Sequence, residues 1–337
     1  MLINKSTLEK FDSQGMYKIY DIWPEIAEKS YLSDYKLTKF QNISHIVFAG
    51  MGGSGAISDI FYSILSKTGI HVDIVKGYLL PSITNSESLV IITSVSGNTI
   101  ETLTILEEAK KIGCKILALS NGGEIEKKCM EDSIEYRKIE KYHSPRASFV
   151  SFLYSMLKIL ENVLPIRNFE IKESIEEMKK LRQKIYSGNL SKNNPAIELS
   201  NWISGIPLVY YPWGLQAAAI RFKNSLQENS KIHTMTEDVI EACHNGIVAW
   251  DSKNDIKPIL LRGEDDFIKT KERWEIIKEF FQDSKIEYKE IRSVKGNILS
   301  KIICLIYLLD YSSIYLAVLS GIDPSPVKSI DFIKSKL

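Results

Sequence analysis

A glycine run set between an apolar strand and a helix constrains this chain more than any other feature. His45-Ile-Val-Phe-Ala49 is short and apolar, Gly50-Met-Gly-Gly-Ser-Gly55 follows at once, and Ala56 to Thr68 carries a helical pattern. Strand, tight loop and helix in that order make a βα unit. The alternation continues, with strands expected at His71–Val75, Ser88–Thr93, Lys115–Leu119 and Ile134–Ile139, and a helix at Glu101–Ile112. Strands that alternate with helices imply right-handed crossovers and a parallel sheet covered on both faces. A long helix from Ser148 to Val163 closes this half, and a charged helix over 170–187 is expected to bridge to the next.

The alternation then restarts. Strands are expected at Ile206–Tyr211, Lys257–Leu261 and Ile286–Ile291, with helices at Gly214–Ser225 and Lys271–Phe281. The second half thus repeats the first with altered loops: Pro212–Gln216 stands where Gly50–Gly55 stood, and Arg262–Asp266 where Ser94–Thr99 stood. A length of 337 residues, 44% of them hydrophobic, suits two α/β domains. The expected division is 1–160, opening on a helical arm over residues 1–40, and 161–337.

Charge and composition exclude several classes. Net charge is +1, from 43 basic and 42 acidic residues, which leaves no electrostatic footprint for nucleic acid or an anionic membrane. No apolar signal segment opens the chain, and Asp310, Ser312 and Ser313 interrupt the apolar run from Ile302 to Leu319, so a buried core helix is expected there. Four cysteines (Cys114, Cys129, Cys243, Cys304) are scattered with no Cys-x-x-Cys pair, which suggests reduced thiols in a cytoplasmic protein, neither disulfides nor zinc.

Two loops carry the chemistry. Gly50-x-Gly-x-x-Gly55 fits a dinucleotide fingerprint, and Asp73 lies close to the ~20-residue offset of its ribose-binding acid, so this motif alone is ambiguous. The second loop decides. Ser94-Val-Ser-Gly-Asn-Thr99 joins a strand to a helix start, and its hydroxyls, with Ser54 and the backbone N–H groups of the helix N-termini, can ring a monophosphate. Capping of the following helix by Ser96 or Thr99 would explain one hydroxyl, not four.

Phe48-Ala-Gly-Met-Gly-Gly-Ser-Gly55 and Ser94-Val-Ser-Gly-Asn-Thr-Ile-Glu-Thr102 resemble the two hallmarks of the sugar isomerase (SIS) domain. Ser144-Pro-Arg-Ala-Ser148 is similar to a Pro-Arg-Ala segment of the bifunctional phosphoglucose/phosphomannose isomerases. Arg221-Phe-Lys-Asn-Ser-Leu-Gln-Glu-Asn-Ser-Lys231 resembles that family's Lys-x-Gln-x-Asn-Glu-Asn-Ala-Lys, and His244-Asn-Gly-Ile-Val-Ala-Trp250 its His-Asn-Glu-x-Val-Gly-Trp. Asp323-Pro-Ser-Pro-Val327 and Ile330-Asp-Phe-Ile-Lys334 complete a resemblance that spans nearly the whole chain. Gly246, Ala249, Gln227 and Ser230 depart from the usual Glu, Gly, Asn and Ala.

The resemblance implies two tandem SIS-type domains and an aldose–ketose isomerase acting on glucose 6-phosphate and mannose 6-phosphate through an enediol, without metal or other cofactor. It implies that Gly53, Ser54, Ser94, Ser96 and Thr99 hold the phosphate. Glu228 matches the base that moves a proton between C2 and C1; without the resemblance it would read as a solvated glutamate on a polar run. His244 matches the group that opens the sugar ring, a task suited to an imidazole, which exchanges its proton near neutrality. Arg146 would steady the enediolate and Lys334 would reach the ring; otherwise they read as a loop arginine and a tail lysine. The family's histidine is supplied by a partner subunit, so a homodimer with composite sites is implied, and the apolar final helix (298–319) is expected to need covering. A sugar-phosphate-sensing regulator of SIS type is the alternative, which would need the hydroxyl loops but not Glu228, His244 and Arg146 together. No nucleic-acid or membrane partner is expected, and the substrate is a sugar 6-phosphate.

Overall fold

In the computed structural model, which describes residues 2–336, the elements run α1 (Lys5–Phe11), α2 (Met16–Asp21), α3 (Trp23–Tyr31), β1 (His45–Gly50), α4 (Gly52–Leu65), β2 (His71–Val75), β3 (Leu89–Ser94) and α5 (Ile100–Ile112). There follow β4 (Lys115–Ser120), α6 (Glu124–Glu131), β5 (Glu135–Lys138), α7 (Phe149–Ile159), α8 (Asn168–Ile185), α9 (Pro195–Trp202), β6 (Ile206–Tyr211) and α10 (Gln216–Ser225). The chain ends with β7 (Met235–Asp238), α11 (Val239–Ala242), β8 (Ile256–Arg262), α12 (Ile268–Asp283), β9 (Lys289–Arg292), α13 (Ile298–Leu319) and α14 (Lys328–Lys334).

The first sheet has the order β2-β1-β3-β4-β5 and the second β7-β6-β8-β9, and every pairing is parallel. Central β3 is buried at all six positions, as a strand covered on both faces must be. One face of the first sheet packs Val47, Ala49, Val90 and Ile92 against Ile105, Leu106 and Ala109 of α5. The opposite face stacks Phe48 on Phe61 of α4 with ring centroids 4.9 Å apart. In the second sheet Leu208, Tyr210 and Leu260 pack on Trp274, Ile277 and Phe281 of α12. The expected α/β class and the repeat both hold. The repeat also contains a strand the pattern did not reveal: β7 reads Met-Thr-Glu-Asp, with no apolar run, because it forms a sheet edge. β9, at Lys289–Arg292, begins three residues later than the apolar pattern placed it and ends one residue later.

The chain forms two compact units, one of Ile22–Ile175, the other of the segment through Asp21 with the chain from Glu176 onward. This differs from a division at 160/161. The opening helices belong with the second half because α1 and α2 pack on α13. The Tyr307 hydroxyl donates to Tyr20 O at 2.6 Å, and Tyr311 hydrogen-bonds Asp21.

Helix α13 is long and apolar enough to cross a membrane, with mean hydropathy 2.0, yet 94% of that window is buried inside the protein. It is the core helix the sequence suggested. It is covered within the chain itself, so its apolarity does not call for a second subunit, contrary to expectation.

A charged group sits in the middle of this helix. Asp310 is 0% exposed and accepts from Arg221 Nη2 at 2.7 Å, Ser225 Oγ at 2.6 Å and Tyr20 Oη at 3.0 Å. Burial, the largest single effect, lowers the Arg221 pKa, but the Asp310 charge, its hydrogen bonds and the nearby Tyr20 and Glu228 together more than offset it, so the pKa is raised and the guanidinium stays charged. Removing one partner of such a pair strands the other in an apolar core. Asp310→Ala is expected to cost about 3–5 kcal/mol in urea unfolding; a loss under about 1 kcal/mol would show the pair to be expendable.

Candidate active site

In the unit of Ile22–Ile175 the strand order reverses between β1 and β3, and a crevice opens there beyond the carboxyl ends of the strands. Gly50, the last residue of β1, pairs with Thr93 of β3, so the loops that follow both strands leave the same edge side by side. The first turns directly into α4. A Cβ on Gly55 would meet Gly50 O at 2.8 Å, so the reversal requires glycine there. Gly52 has φ +53° and open space where a side chain would stand. No side chain caps α4 at Met51, and Ser54 N donates to Met51 O at 3.0 Å, which leaves the amides of Gly52 and Gly53 in that first turn to face the opening.

The second loop is built on hydroxyls. Ser94 Oγ lies 2.9 Å from Thr99 Oγ1 and accepts from Gly97 N at 3.1 Å, while Ser96 Oγ accepts from Asn98 N at 3.3 Å. Thr99 is the N-cap residue of α5, yet its side chain makes no cap hydrogen bond. Helix capping therefore does not account for Thr99; its hydroxyl joins Ser94 instead. The loop after β4 backs it. Ile125 N donates to Gly97 O at 2.9 Å, Glu124 N donates to Asn98 Oδ1 at 2.9 Å, and a Cβ on Gly97 would sit 1.7 Å from Gly122 O. Asn121-Gly-Gly123, which follows β4, is thus the buttress of the hydroxyl loop.

Arg146 belongs to the same unit and is 5% exposed, so it is not a loop arginine in water. The turn that carries it is held by Trp23 Nε1, which donates to Ala147 O at 2.9 Å, and by Ser148 Oγ, which donates to Ser144 O at 2.8 Å.

Glu228, His244 and Lys334 lie in the other unit. Glu228 stands half-buried in a π-helical turn, Leu226–Ser230, that extends α10. Such a turn widens the helix by one residue and commonly marks a functional position. Asn229 Nδ2 donates to Ser313 Oγ at 2.8 Å and Ser230 Oγ to Ser313 O at 2.6 Å, which pin the turn to α13. Lys231 closes it with φ 59° and donates from Nζ to Pro326 O at 2.8 Å, giving the Asp323–Val327 motif a place beside the turn. His244 is exposed after α11, its N–H donates to Glu241 O at 2.9 Å, and its imidazole has no hydrogen-bond partner among the described residues. Lys334 is exposed in the last turn of α14.

The repeat of the hydroxyl loop has lost its open seat. After β8, the Asp266 carboxylate accepts from Gly263 N at 3.1 Å and from Trp274 Nε1 at 2.9 Å. Burial pushes its pKa above the usual carboxylate range. A carboxylate of the chain itself thus takes up the donors of this loop.

Asp73 is not a ribose-binding acid. It lies two residues inside β2 with Oδ2 3.0 Å from His45 Nε2. The sequence suggested no cluster of metal-ligand type, but the fold brings His45, His71 and Asp73 together.

Residues 39–136 match the SIS domain, and residues 192–337 match the bacterial phospho-glucose isomerase C-terminal SIS domain. A bifunctional phosphoglucose/phosphomannose isomerase of Caldicellulosiruptor bescii is 32% identical, the match covering 95% of this chain and 97% of that one. The protein of the same name from Aquifex aeolicus is 31% identical over 96% of each. The chain belongs to the bifunctional phosphoglucose/phosphomannose isomerase family. A solved structure of a hypothetical Thermus thermophilus protein shares the fold, with TM-score 0.74 at 13% identity over 98% of this chain and 92% of that one.

The two loops of the SIS hallmark make unequal demands on glycine. Gly97→Ala, with φ +71° and a carbonyl in the way, is expected to cost about 2–5 kcal/mol in urea unfolding. Gly52→Ala, strained in φ but facing open space, should cost about 1–2 kcal/mol. Equal costs would show that the Gly97–Gly122 contact does not hold the loop.

Proposed function

We propose that this chain interconverts glucose 6-phosphate and mannose 6-phosphate with fructose 6-phosphate, in keeping with its relatives named bifunctional phosphoglucose/phosphomannose isomerase. The observation that carries the reading is the hydroxyl loop at the strand-order reversal, where Thr99 is turned from capping α5 to Ser94 beside an uncapped helix N-terminus. The phosphate binds Ser54, Ser94, Ser96 and Thr99 with the amides around Gly53, a set of neutral donors that suits a chain without excess positive charge.

Proton transfer follows from the remaining residues. His244, with Lys334, moves a proton between O5 and O1 to open the ring. Glu228 takes the proton from C2 of the aldose while O1 gains one, giving a cis-enediol; Glu228 then returns its proton to C1 as O2 loses one, giving the ketose. Arg146 holds a fixed positive charge against the enediolate. Glucose and mannose 6-phosphates share this enediol, so both react where the site does not enforce the configuration at C2. The catalysis is metal-independent in this scheme, since side chains supply every proton and charge it needs. A sugar-phosphate-sensing regulator is not favoured, because the family match runs through the segments of Glu228 and His244. The active form is a homodimer in which His244 of one subunit completes the site of the other.

A coupled assay should show turnover of both aldose phosphates, undiminished by EDTA. Glu228→Gln should keep the fold and lower turnover about 10²–10⁴-fold. Co-expression of Glu228→Gln with His244→Ala should restore activity in verified mixed dimers, at one working site each. Mixed dimers as inactive as either parent would place both groups in one chain. Near-normal turnover by Glu228→Gln would remove it as the base.

A further inference from the structure

Strands β1 and β2 pair with His45 opposite His71, and side chains of directly paired residues stand on one face of a sheet. Asp73, two residues along β2, stands on that face too. Farther along the same face come Val47, Ala49 and Val75, packed in the apolar core beneath α5. A polar trio thus continues an apolar row at the amino end of the two strands.

Its geometry is that of a ligand set. His45 Nε2 lies 3.0 Å and His71 Nε2 3.5 Å from the same Asp73 oxygen, and the three ligand atoms all fall within 4.8 Å of one another. Tetrahedral zinc with metal–nitrogen bonds of 2.0–2.1 Å holds its ligand atoms about 3.3 Å apart. The observed separations bracket that value. The other His45 nitrogen is also placed for the purpose: Nδ1 lies 2.8 Å from Ser88 Oγ, a buried hydroxyl that accepts from Asn85 N at 3.0 Å. A ligating histidine nearly always donates its second ring N–H to such an oxygen, which fixes the tautomer and the ring plane.

We propose that His45, His71 and Asp73 form a three-ligand site for a divalent transition metal, zinc first among them, with Ser88 as the hydrogen-bond partner that orients His45. Two imidazoles and one carboxylate favour zinc over magnesium or calcium, which prefer oxygen ligands. Water fills the fourth position, and the His71 side chain, 59% exposed, leaves a path for entry. Without metal the trio is satisfied internally: the Ser88 hydroxyl donates to Nδ1, and Nε2–H donates to Asp73. On binding, His45 changes tautomer, so that Nδ1–H donates to Ser88 Oγ and Nε2 holds the metal, with no net change in bound protons. The site lies at the opposite end of the strands from the hydroxyl loops, about 16–20 Å away at ~3.3 Å per residue. It staples edge strand β2 to β1 and takes no part in turnover.

The test uses the full chain stripped with EDTA and then desalted. Zinc chloride should bind at one equivalent per chain and raise the melting temperature by about 4 °C once free zinc exceeds its dissociation constant a hundredfold. Cobalt chloride should give the intense visible absorption of a tetrahedral nitrogen–oxygen site. His71→Ala and Asp73→Ala, at partly exposed positions of an edge strand, should fold, keep full isomerase activity and lose both signals. Ser88→Ala keeps all three ligands and should weaken binding about 10–100-fold. Zinc stabilisation equal in His71→Ala and the parent, a cobalt–thiolate band pointing to the cysteines, or no stoichiometric binding at all would each overturn the proposal.

Discussion

Parallel pairing with a reversal of strand order is the constraint on which the rest of this structure depends. Each parallel strand needs a crossover, and where successive crossovers lie on opposite faces the loops after two neighbouring strands spread apart and leave a crevice. Here that happens between β1 and β3, and again between β6 and β8. Topology alone therefore provides two such crevices. Chemistry then distinguishes them: one keeps Ser54, Ser94, Ser96 and Thr99 around an open helix N-terminus, while the other is filled by the Asp266 carboxylate.

The segment of Glu228 hangs from α13. Asp310 fixes Arg221 and Ser225 at the end of α10, and Ser313, one turn on, receives Asn229 and Ser230 from the π-helical turn. Glu228 lies between these anchors. A flexible glutamate on a polar run would be an imprecise base; one held from both sides by buried hydrogen bonds is positioned before substrate arrives. The buried ion pair is better understood as an orienting device than as a source of stability, since a well-packed apolar replacement can be as stable.

Much of this was legible in the sequence, for identifiable reasons. Apolar runs gave the central strands, because a strand covered on both faces must be apolar throughout. The hydroxyl loop was legible because local spacing sets its geometry. What escaped depends on distant partners. The opening helices look like an arm until Tyr20 and Asp21 meet α13. β7 is a short polar edge strand with no periodic signal. The π-helical turn has no sequence period of its own, and the His45–His71–Asp73 cluster exists only through the register of two strands. That cluster left one faint sign: two histidines and an aspartate in strands that are otherwise without polar side chains.

The central claim is that Glu228 moves a proton through an enediol, and exchange with solvent tests it most directly. Fructose 6-phosphate incubated with the enzyme in deuterium oxide until the sugars equilibrate should yield glucose and mannose 6-phosphates carrying deuterium at C2, because the proton held on the carboxylate exchanges with water during the lifetime of the enediol. The ketose should gain deuterium at C1, and Glu228→Gln should abolish the incorporation. Fully equilibrated aldoses with no deuterium at C2 would mean that hydrogen passes directly between the carbons, contradicting the enediol and the role of Glu228.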